Sequence, residues 1–308
     1  MKRILVILAL LVIPAAGFLY FGISSARTFS ESVSVACTNE GALRVLFNER
    51  ISKEVWPGEK KNDSTYKFGE LQYIIGSTLI NVTDLQFGNK NTGQFIVEET
   101  TPDSCRLTIN YVTHLPLQPF NRIKEYLKIS EVKKDIQSLL VELKNKLDGE
   151  ELVYNLKINM SRVTDSAMIS TRKIIDHYPS VKEVYAMIDE IRNYIKVNGG
   201  EETSAPMLNV FEEDSAHYLV MVAVPTKTVM KGSETFLLKR MLANGYILVS
   251  EVTGGNTTIK QAEKAMQQYV TDHQKSSPAI PFQMLLNDRR AEQDTSKWKT
   301  RLYYPVMY

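Results

Sequence analysis

The residue types that most often carry metal, redox or nucleophilic chemistry are few in this chain and do not cluster. Neither cysteine belongs to a CxxC pair, no histidine belongs to an HExxH motif, and there is no GxSxG nucleophile sequence. Such chemistry needs several groups at a defined spacing. We therefore predict no catalytic residue, no metal ligand and no cofactor. The scattered candidates are Cys37, Cys105, His114, His177, His217 and His273.

The two cysteines each fall on the apolar face of a predicted strand. Cys37 alternates with Val35, and Cys105 alternates with Leu107. This pattern favours two buried thiols, and a disulfide between them is the alternative. Asp176 and His177 are adjacent, but neighbouring side chains in a turn usually diverge, so we do not predict an acid/base pair.

An arginine and a tyrosine near the C-terminus form a more suggestive pair. Arg301 and Tyr303 are two residues apart, so they share one face of a strand. A guanidinium is permanently charged and its fork of donors suits carboxylate or phosphate, whereas tyrosine suits an amphipathic pocket. The pair predicts a site for an anionic, amphipathic ligand. The alternative is an arginine exposed to solvent.

The N-terminal segment has the pattern of a membrane anchor. Lys2 and Arg3 precede 20 uncharged, mostly apolar residues, from Ile4 to Ile23. A helix of that length covers about 30 Å, which is the thickness of a bilayer core. The charge bias predicts a cytoplasmic N-terminus, with the remaining chain outside the cytoplasm, in the periplasm of a bacterium. A signal peptide cleaved near Ser24 to Ala26 is the alternative.

The composition of the whole chain is that of an ordinary globular protein. The net charge is +2 and 23% of residues are charged, with both signs interspersed. No basic stripe is present that would attract nucleic acid. We therefore predict no nucleic-acid partner.

Residues 28–150 alternate between strand and helix patterns. Leu139, Leu140 and Leu143 recur at helical spacing within a long helix, and Gly149 is placed to end it. The order is one strand, one helix, several antiparallel strands and the long helix. The predicted ranges are a strand at 28–38, a helix at 39–53, strands at 66–75, 77–87, 94–99 and 105–113, and a helix from about 132 to 147.

This element order, with the run from His114 to Phe120 leading into the long helix, resembles the START-like, polyketide-cyclase (SRPBCC) family. The resemblance implies a helix-grip fold, in which a curved antiparallel sheet wraps a long C-terminal helix and encloses an apolar cavity. A generic α+β sandwich with a packed core is the alternative, because fold alone does not imply function.

Residues 151–308 contain an internal repeat with an offset of 78 residues. Val181 aligns with Ile259 in a helical stripe. Each helix is preceded by a capping-box pattern that satisfies backbone donors at a helix start. The two boxes run from Ser180 to Glu183 and from Thr258 to Gln261.

The duplicated strand-strand-helix-strand pattern at 155–308 resembles the GyrI-like family of effector-binding domains. The resemblance implies two copies packed about a pseudo-twofold axis around a small-molecule cleft. At the family's Gly-Pro-Tyr positions this chain keeps Tyr178 in the first copy and has Asn256 in the second. Where the family places a glutamate four residues before a proline, this chain has Arg301 and, in the first copy, Met221. Cation binding, which that glutamate supports, is therefore not predicted.

Together these patterns predict an α+β protein with a membrane segment at 1–27, a helix-grip domain at 28–150 and a GyrI-like domain at 151–308. The predicted function is binding of a small amphipathic molecule or lipid outside the cytoplasm, with the N-terminal helix in a membrane and no protein partner assigned. The alternatives are a structural or partner-binding envelope protein with filled cavities, and a hydrolase or cyclase-type enzyme. The predicted ligand-binding residues are Arg301, Tyr303, Tyr246, Tyr178, Met221 and Asn256.

Overall fold

The computed structural model describes residues 25–48, 52–163, 167–214, 216–241 and 244–307, together with Pro14 and Gly17. These residues form two antiparallel sheets with accompanying helices, so the predicted α+β class is confirmed. The chain divides into two compact units, residues 1–153 and residues 154–308. Each unit has its own sheet.

The prediction of a membrane-anchored, extracytoplasmic protein is contradicted. Within the residues that the structure describes, no helix combines the length and the apolar character needed to cross a bilayer. The segment from Ile4 to Ile23, on which the prediction rested, lies outside the described residues except for Pro14 and Gly17. We withdraw the predicted location.

The first unit is built on a seven-stranded sheet in the order β1-β7-β6-β5-β4-β3-β2. A long helix, α3, packs on this sheet. The strands are β1 Ala26–Val35, β2 Glu59–Lys60, β3 Thr65–Phe68, β4 Leu71–Leu79, β5 Val82–Phe87, β6 Asn91–Thr101 and β7 Ser104–His114. The helices are α1 Asn39–Phe47, α2 Ser52–Val55 and α3 Pro119–Leu147, followed by α4 Glu151–Tyr154, whose last residue is the first residue of the second unit.

Alternation of buried and exposed residues explains the core of this unit. Phe95 and Ile109 on β6 and β7 are fully buried, as are Ile136 and Leu143 on the inner stripe of α3. Trp56 closes the core, and its Nε1 donates to the carbonyl oxygen of Leu46 at 3.1 Å. The apolar stripe of α3 was predicted correctly from its helical spacing.

Several predicted element boundaries in this unit are wrong. Strands predicted at 66–75 and 77–87 are each interrupted by a hairpin turn, where Gly69 and Ile80 have φ values of 58° and 57°. Ile80 is an unusual residue for a left-handed turn, so it gave no turn signal. The helix α3 starts at Pro119 rather than near Val132. The sequence did not indicate the first turns of this helix because most of their residues face solvent and lack an apolar period.

The two cysteines are confirmed as buried thiols. Neither Cys37 nor Cys105 forms a disulfide. Burial raises the pKa of the Cys105 thiol to about 12.

The second unit is built on an eight-stranded antiparallel sheet. The strands are β8 Asn159–Arg162, β9 Ala167–Ile175, β10 Met207–Glu212, β11 Tyr218–Thr226, β12 Leu237–Arg240, β13 Tyr246–Thr253, β14 Phe282–Leu285 and β15 Lys299–Val306. The helices are α5 Val181–Val197 and α6 Asn256–Asp272, with a short 3-10 turn at Thr295–Lys297. The sheet order is β12-β9-β11-β10-β14-β15-β13-β8.

This order is symmetric about the β10–β14 pair, in agreement with a duplicated unit. Each copy contains two strands, a helix and two further strands, one strand more than the sequence pattern indicated. The first strand of each copy pairs with the second strand of the other copy, since β8 pairs with β13 and β12 pairs with β9. The two copies are therefore interlocked through their edge strands.

The helices cover one face of this sheet and leave the other face open. Val220, Val222 and Val224 of β11 pack under α5, and Leu302 of β15 packs under α6. Along each strand, the residues that alternate with these core residues point to the opposite face of the sheet. On that face Met168, Met207 and Met284 form a separate cluster. We call this second side the open face.

The predicted register of the repeat is wrong in the helices. Helices α5 and α6 begin at Val181 and Asn256, which are 75 rather than 78 residues apart. The turn before α6 is shorter, so its N-cap is Gly255. The capping box from Ser180 to Glu183 is formed as predicted, whereas the predicted second box is not.

Candidate functional site

The open face of the second unit carries a cleft made of two adjoining cavities. Their volumes are about 1180 Å³ and 520 Å³. They share six lining residues, so they form one continuous site. The shared residues are Val163, Met207, Arg240, Met241, Ile247 and Phe282.

The larger cavity, which we call the basic end, is rich in cations. Five cationic residues line it against one acid, Glu251, among the described lining residues. Two of the cations are neutralised locally, because Arg301 pairs with Glu251 and Lys227 pairs with Glu201 at 3.1 Å. Within the described part of the chain the other three have no ion-pair partner. They are Lys157, Arg162 and Arg240.

Arg301 is held by its neighbours rather than projecting freely into the cleft. Its Nε and Nη2 donate to Oε1 of Glu251 at 2.8 and 2.6 Å, and its Nη1 donates to the Tyr303 hydroxyl at 3.5 Å. The Tyr303 hydroxyl and the Glu251 carboxylate raise the pKa of Arg301 above its usual range. The side chain is 36% exposed, so this ion pair is screened by water.

Arg162 is positioned by a tyrosine of the neighbouring strand. Its Nη2 donates to the Tyr246 hydroxyl at 2.8 Å, and its guanidinium carbon lies 4.4 Å from the centroid of the Tyr246 ring. Its Nη1 donates to the carbonyl oxygen of Asn244 at 3.1 Å. A guanidinium stacked on an aromatic ring loses little freedom when it binds an anion.

A stacked aromatic pair forms part of the wall of the basic end. Phe282 and Tyr303 face each other on β14 and β15, with ring centroids 4.8 Å apart and an angle of 16° between the rings. Such a pair provides a flat apolar surface beside the cations.

The smaller cavity, which we call the methionine end, is mainly apolar. Methionine is flexible and polarizable, so it can adapt to ligands of different shape. One polar atom is buried here: Oδ1 of Asn209 has no hydrogen-bond partner among the described residues. The methionines that line this end are Met168, Met207, Met221, Met241 and Met307.

The six predicted site residues lie in pairs in three places. Arg301 and Tyr303 line the basic end, and Tyr246 and Met221 line the methionine end. The remaining two, Tyr178 and Asn256, line a separate cavity of about 100 Å³. That cavity is bordered by Leu208 and Leu285, which point to the helix-covered side of the sheet.

Sequence reasoning missed most of the methionines and all three cations that lack an ion-pair partner among the described residues. The sequence nevertheless carries a signal for the methionines and for two of these cations. Ten of the 11 methionines follow residue 159, and Arg162 and Arg240 are related by the repeat offset of 78. Both arginines end the first strand of their copy.

The prediction that Asp176 and His177 do not meet is wrong. Nδ1 of His177 lies 2.7 Å from Oδ1 of Asp176, and Nε2 lies 3.0 Å from Oε1 of Glu183. The hydrogen bond with Asp176, followed by that with Glu183, raises the pKa of His177. The His177 side chain is exposed and does not line the cleft.

Among the described residues, no set of three or more His, Cys, Asp or Glu side chains is arranged to hold a metal ion.

No protein-family model and no curated protein matches this chain. Among solved structures, the chain is similar to the C-terminal domain of EcmrR, with 16% identity over 49% of this chain and 98% of that chain and a TM-score of 0.42. It is similar to a hydrolase from Listeria innocua, with 12% identity over 49% and 91% of the two chains and a TM-score of 0.38. It is also similar to SAV2435 bound to tetraphenylphosphonium, with 12% identity over 49% and 94% and a TM-score of 0.33. All three likenesses lie below 25% identity and below a TM-score of 0.5, so they assign neither the GyrI-like nor the START-like family to this chain.

Proposed function

We propose that residues 154–308 bind a small amphipathic molecule or lipid with a negatively charged head group. The observation that carries this proposal is the contrast between the two ends of one cleft. Counting described residues only, the basic end offers three cations without ion-pair partners, and the methionine end offers an apolar lining. A ligand with an acidic head and an apolar body would match both.

The charge preference rests mainly on Arg162, Arg240 and Lys157. Arg301 already donates to Glu251, so an added anion would have to compete with that carboxylate. Like-sign residues in a cleft raise the local concentration of an opposite charge. We therefore infer that Arg301 helps to shape the basic end, while the unpaired cations select the sign of the ligand.

The apolar contribution comes from the methionine end. Burial of an alkyl chain is worth about 0.8 kcal/mol per fully buried methylene. Because methionine side chains can rearrange, the cleft would accept several apolar bodies rather than one. The described residues of this unit leave cavities of about 1180 Å³ and 520 Å³ unfilled, which favours ligand binding over the alternative of a structural protein with filled cavities.

A matched pair of ligands tests this function. We would titrate the full chain by calorimetry with decanoate and with decyltrimethylammonium, which share a ten-carbon chain and differ in charge. The proposal expects decanoate to bind at least ten times more tightly. Equal affinities, or no binding of either ligand, would overturn it.

Charge variants locate the effect in the cleft. The double variant Arg162→Gln/Arg240→Gln should reduce the preference for decanoate at least fivefold. Arg172→Gln is the control, because Arg172 lies on the open face of β9 but does not line the cleft. An equal loss in the control would assign the preference to the general surface charge.

A further inference from the structure

The cavity of about 100 Å³ on the helix-covered side has features that the amphiphile site does not explain. It lies between the first turns of two helices, with Ser180 and Val181 from the start of α5 and Asn256 from the start of α6. At about 30 Å³ for a water molecule in the liquid, its volume corresponds to roughly three waters. This volume is too small for an amphiphile and large enough for a compact anion.

The two helix starts differ in how they are capped. At α5, the hydroxyl of Ser180 accepts from the backbone N–H of Glu183, and the Glu183 carboxylate accepts from the backbone N–H of Ser180. At α6, the N-cap is Gly255, and no described side chain caps the helix. The first N–H groups of a helix have no partner within the helix, and the helix dipole places partial positive charge there. The 17-residue helix α6 therefore has backbone donors available at its start.

An independent feature of this cavity is a buried guanidinium. Arg289 lines it and is only 7% exposed. Its Nη2 donates to Oγ1 of Thr300 at 2.8 Å, and its guanidinium carbon lies 4.7 Å from the centroid of the Trp298 ring. These partners are uncharged, and in the described part of the chain Arg289 forms no ion pair. Its Nε is buried and has no hydrogen-bond partner among the residues that the structure describes.

A buried cation is normally paired or hydrogen-bonded, because removing it from water is costly. Burial lowers the pKa of Arg289 from its usual value, which reflects this cost. An arginine side chain remains protonated in proteins, so the charge persists, and no described residue supplies a counterion. A small anion next to Arg289 would supply that counterion and would accept from the open N–H groups of α6 as well.

We propose that this cavity binds a small oxyanion of the phosphate class, held by the guanidinium of Arg289 and by backbone N–H groups at the start of α6. Guanidinium groups and helix starts both favour such ligands through charge-assisted hydrogen bonds. Asn256 is exposed at the edge of the cavity, so a phosphate monoester could also place its ester group outward. The site is separate from the cleft, which lies on the open face.

Inorganic phosphate titrated into the full chain, with chloride keeping the ionic strength constant, tests the site. Binding would be followed by ³¹P line broadening and by the melting temperature. We expect saturable binding and a rise in melting temperature. Phosphate that acts no differently from chloride would overturn the proposal. A parallel titration with glycerol phosphate distinguishes the sources: tighter binding than phosphate indicates a monoester head group, and weaker binding indicates the free ion, each supporting the shared chemistry.

Two variants assign the binding to these residues. Arg289→Gln removes the charge, and Asn256→Asp places a negative charge at the edge while leaving the buried arginine intact. Each variant should weaken phosphate binding at least tenfold. Gln267→Glu, which adds the same charge at an exposed position farther along α6, should change phosphate affinity less than twofold. If Arg289→Gln does not fold, Asn256→Asp decides alone, and unchanged affinity in that variant would overturn the proposal. Decanoate affinity should be unchanged in Asn256→Asp. Failure of the phosphate proposal is therefore distinguishable from failure of the proposed amphiphile binding in the cleft.

Discussion

Arg301 and Glu251 stand directly opposite each other on β15 and β13, and two nitrogens of the guanidinium donate to the same carboxylate oxygen. This ion pair changes the expected role of Arg301, which the sequence predicted as the anion-binding group of the site. A lone guanidinium would dominate the charge of the cleft, whereas a paired one contributes little net charge. The acid is therefore as informative a target as the arginine.

Removal of the acid should strengthen anion binding. Glu251→Gln leaves Arg301 without a counterion and removes the negative charge from the basic end, so decanoate should bind about three to ten times more tightly, or roughly 1 kcal/mol, as for one partly screened charge. Calorimetric titration of the full chain measures this. Glu190→Gln, on an exposed position of α5, should leave the affinity unchanged. Weaker decanoate binding to Glu251→Gln would mean that the pair itself holds the site in shape.

A charge in the methionine end should remove the dependence of fatty-acid affinity on alkyl chain length. In the wild-type protein, affinity should rise up to about fourfold per methylene from hexanoate to decanoate, as expected for buried methylenes. Met221→Glu should flatten this series, because a carboxylate at that half-buried position repels the anion and wets the cavity. Leu219→Glu is a control on the same face of β11 outside the cleft lining. A series of unchanged slope in Met221→Glu would place the alkyl chain elsewhere.

The environment of His177 predicts a stability change near neutral pH. Both ring nitrogens face carboxylates, so the protonated imidazolium is favoured, and the pKa of His177 is raised in the folded state. Its contribution to stability is full below the unfolded pKa of about 6.5 and is lost as the pH rises through the higher folded pKa. NMR titration of the His177 ring measures the shift. Asp176→Asn should bring the pKa down, and an unaltered pKa would show that the contact with Asp176 is not made in solution.

The boundary between the predicted modules can be set more finely from the packing of two adjacent residues. Val153 is buried beside Gly41, with its Cγ1 2.9 Å from where a Cβ on Gly41 would lie. The hydroxyl of Tyr154 donates to Oδ2 of Asp272 at 2.9 Å. Fragments 25–153 and 154–308 should each unfold cooperatively by calorimetry. Fragment 25–150 should be about 1 to 2 kcal/mol less stable than 25–153, as for loss of a buried valine. Equal stability of the two N-terminal fragments would argue against packing of Val153.

Local patterns predicted the parts of the fold in which neighbouring residues decide the structure. The capping box at Ser180 follows from side chains three residues apart, and the inner stripe of α3 follows from helical spacing. The second box failed because Gly255 starts α6 before Thr258 is reached. A shortened turn shifts a helix start without altering the apolar pattern that the repeat comparison detects.

The sequence by itself determined the α+β class, the burial of both thiols, the duplication of the second unit and a polar pair at Arg301 and Tyr303. These features depend on periods of two and 3.6 residues, which the chain carries locally. Only the tertiary structure decided that Glu251 neutralises Arg301, that five methionines from separate segments line one cavity, and that Arg289 is buried without a counterion in the described part of the chain. The physical reason is that strand register and the packing of distant segments bring these groups together across 50 or more residues, as between Glu251 and Arg301. No local spacing encodes such a meeting, because it depends on every element that lies between.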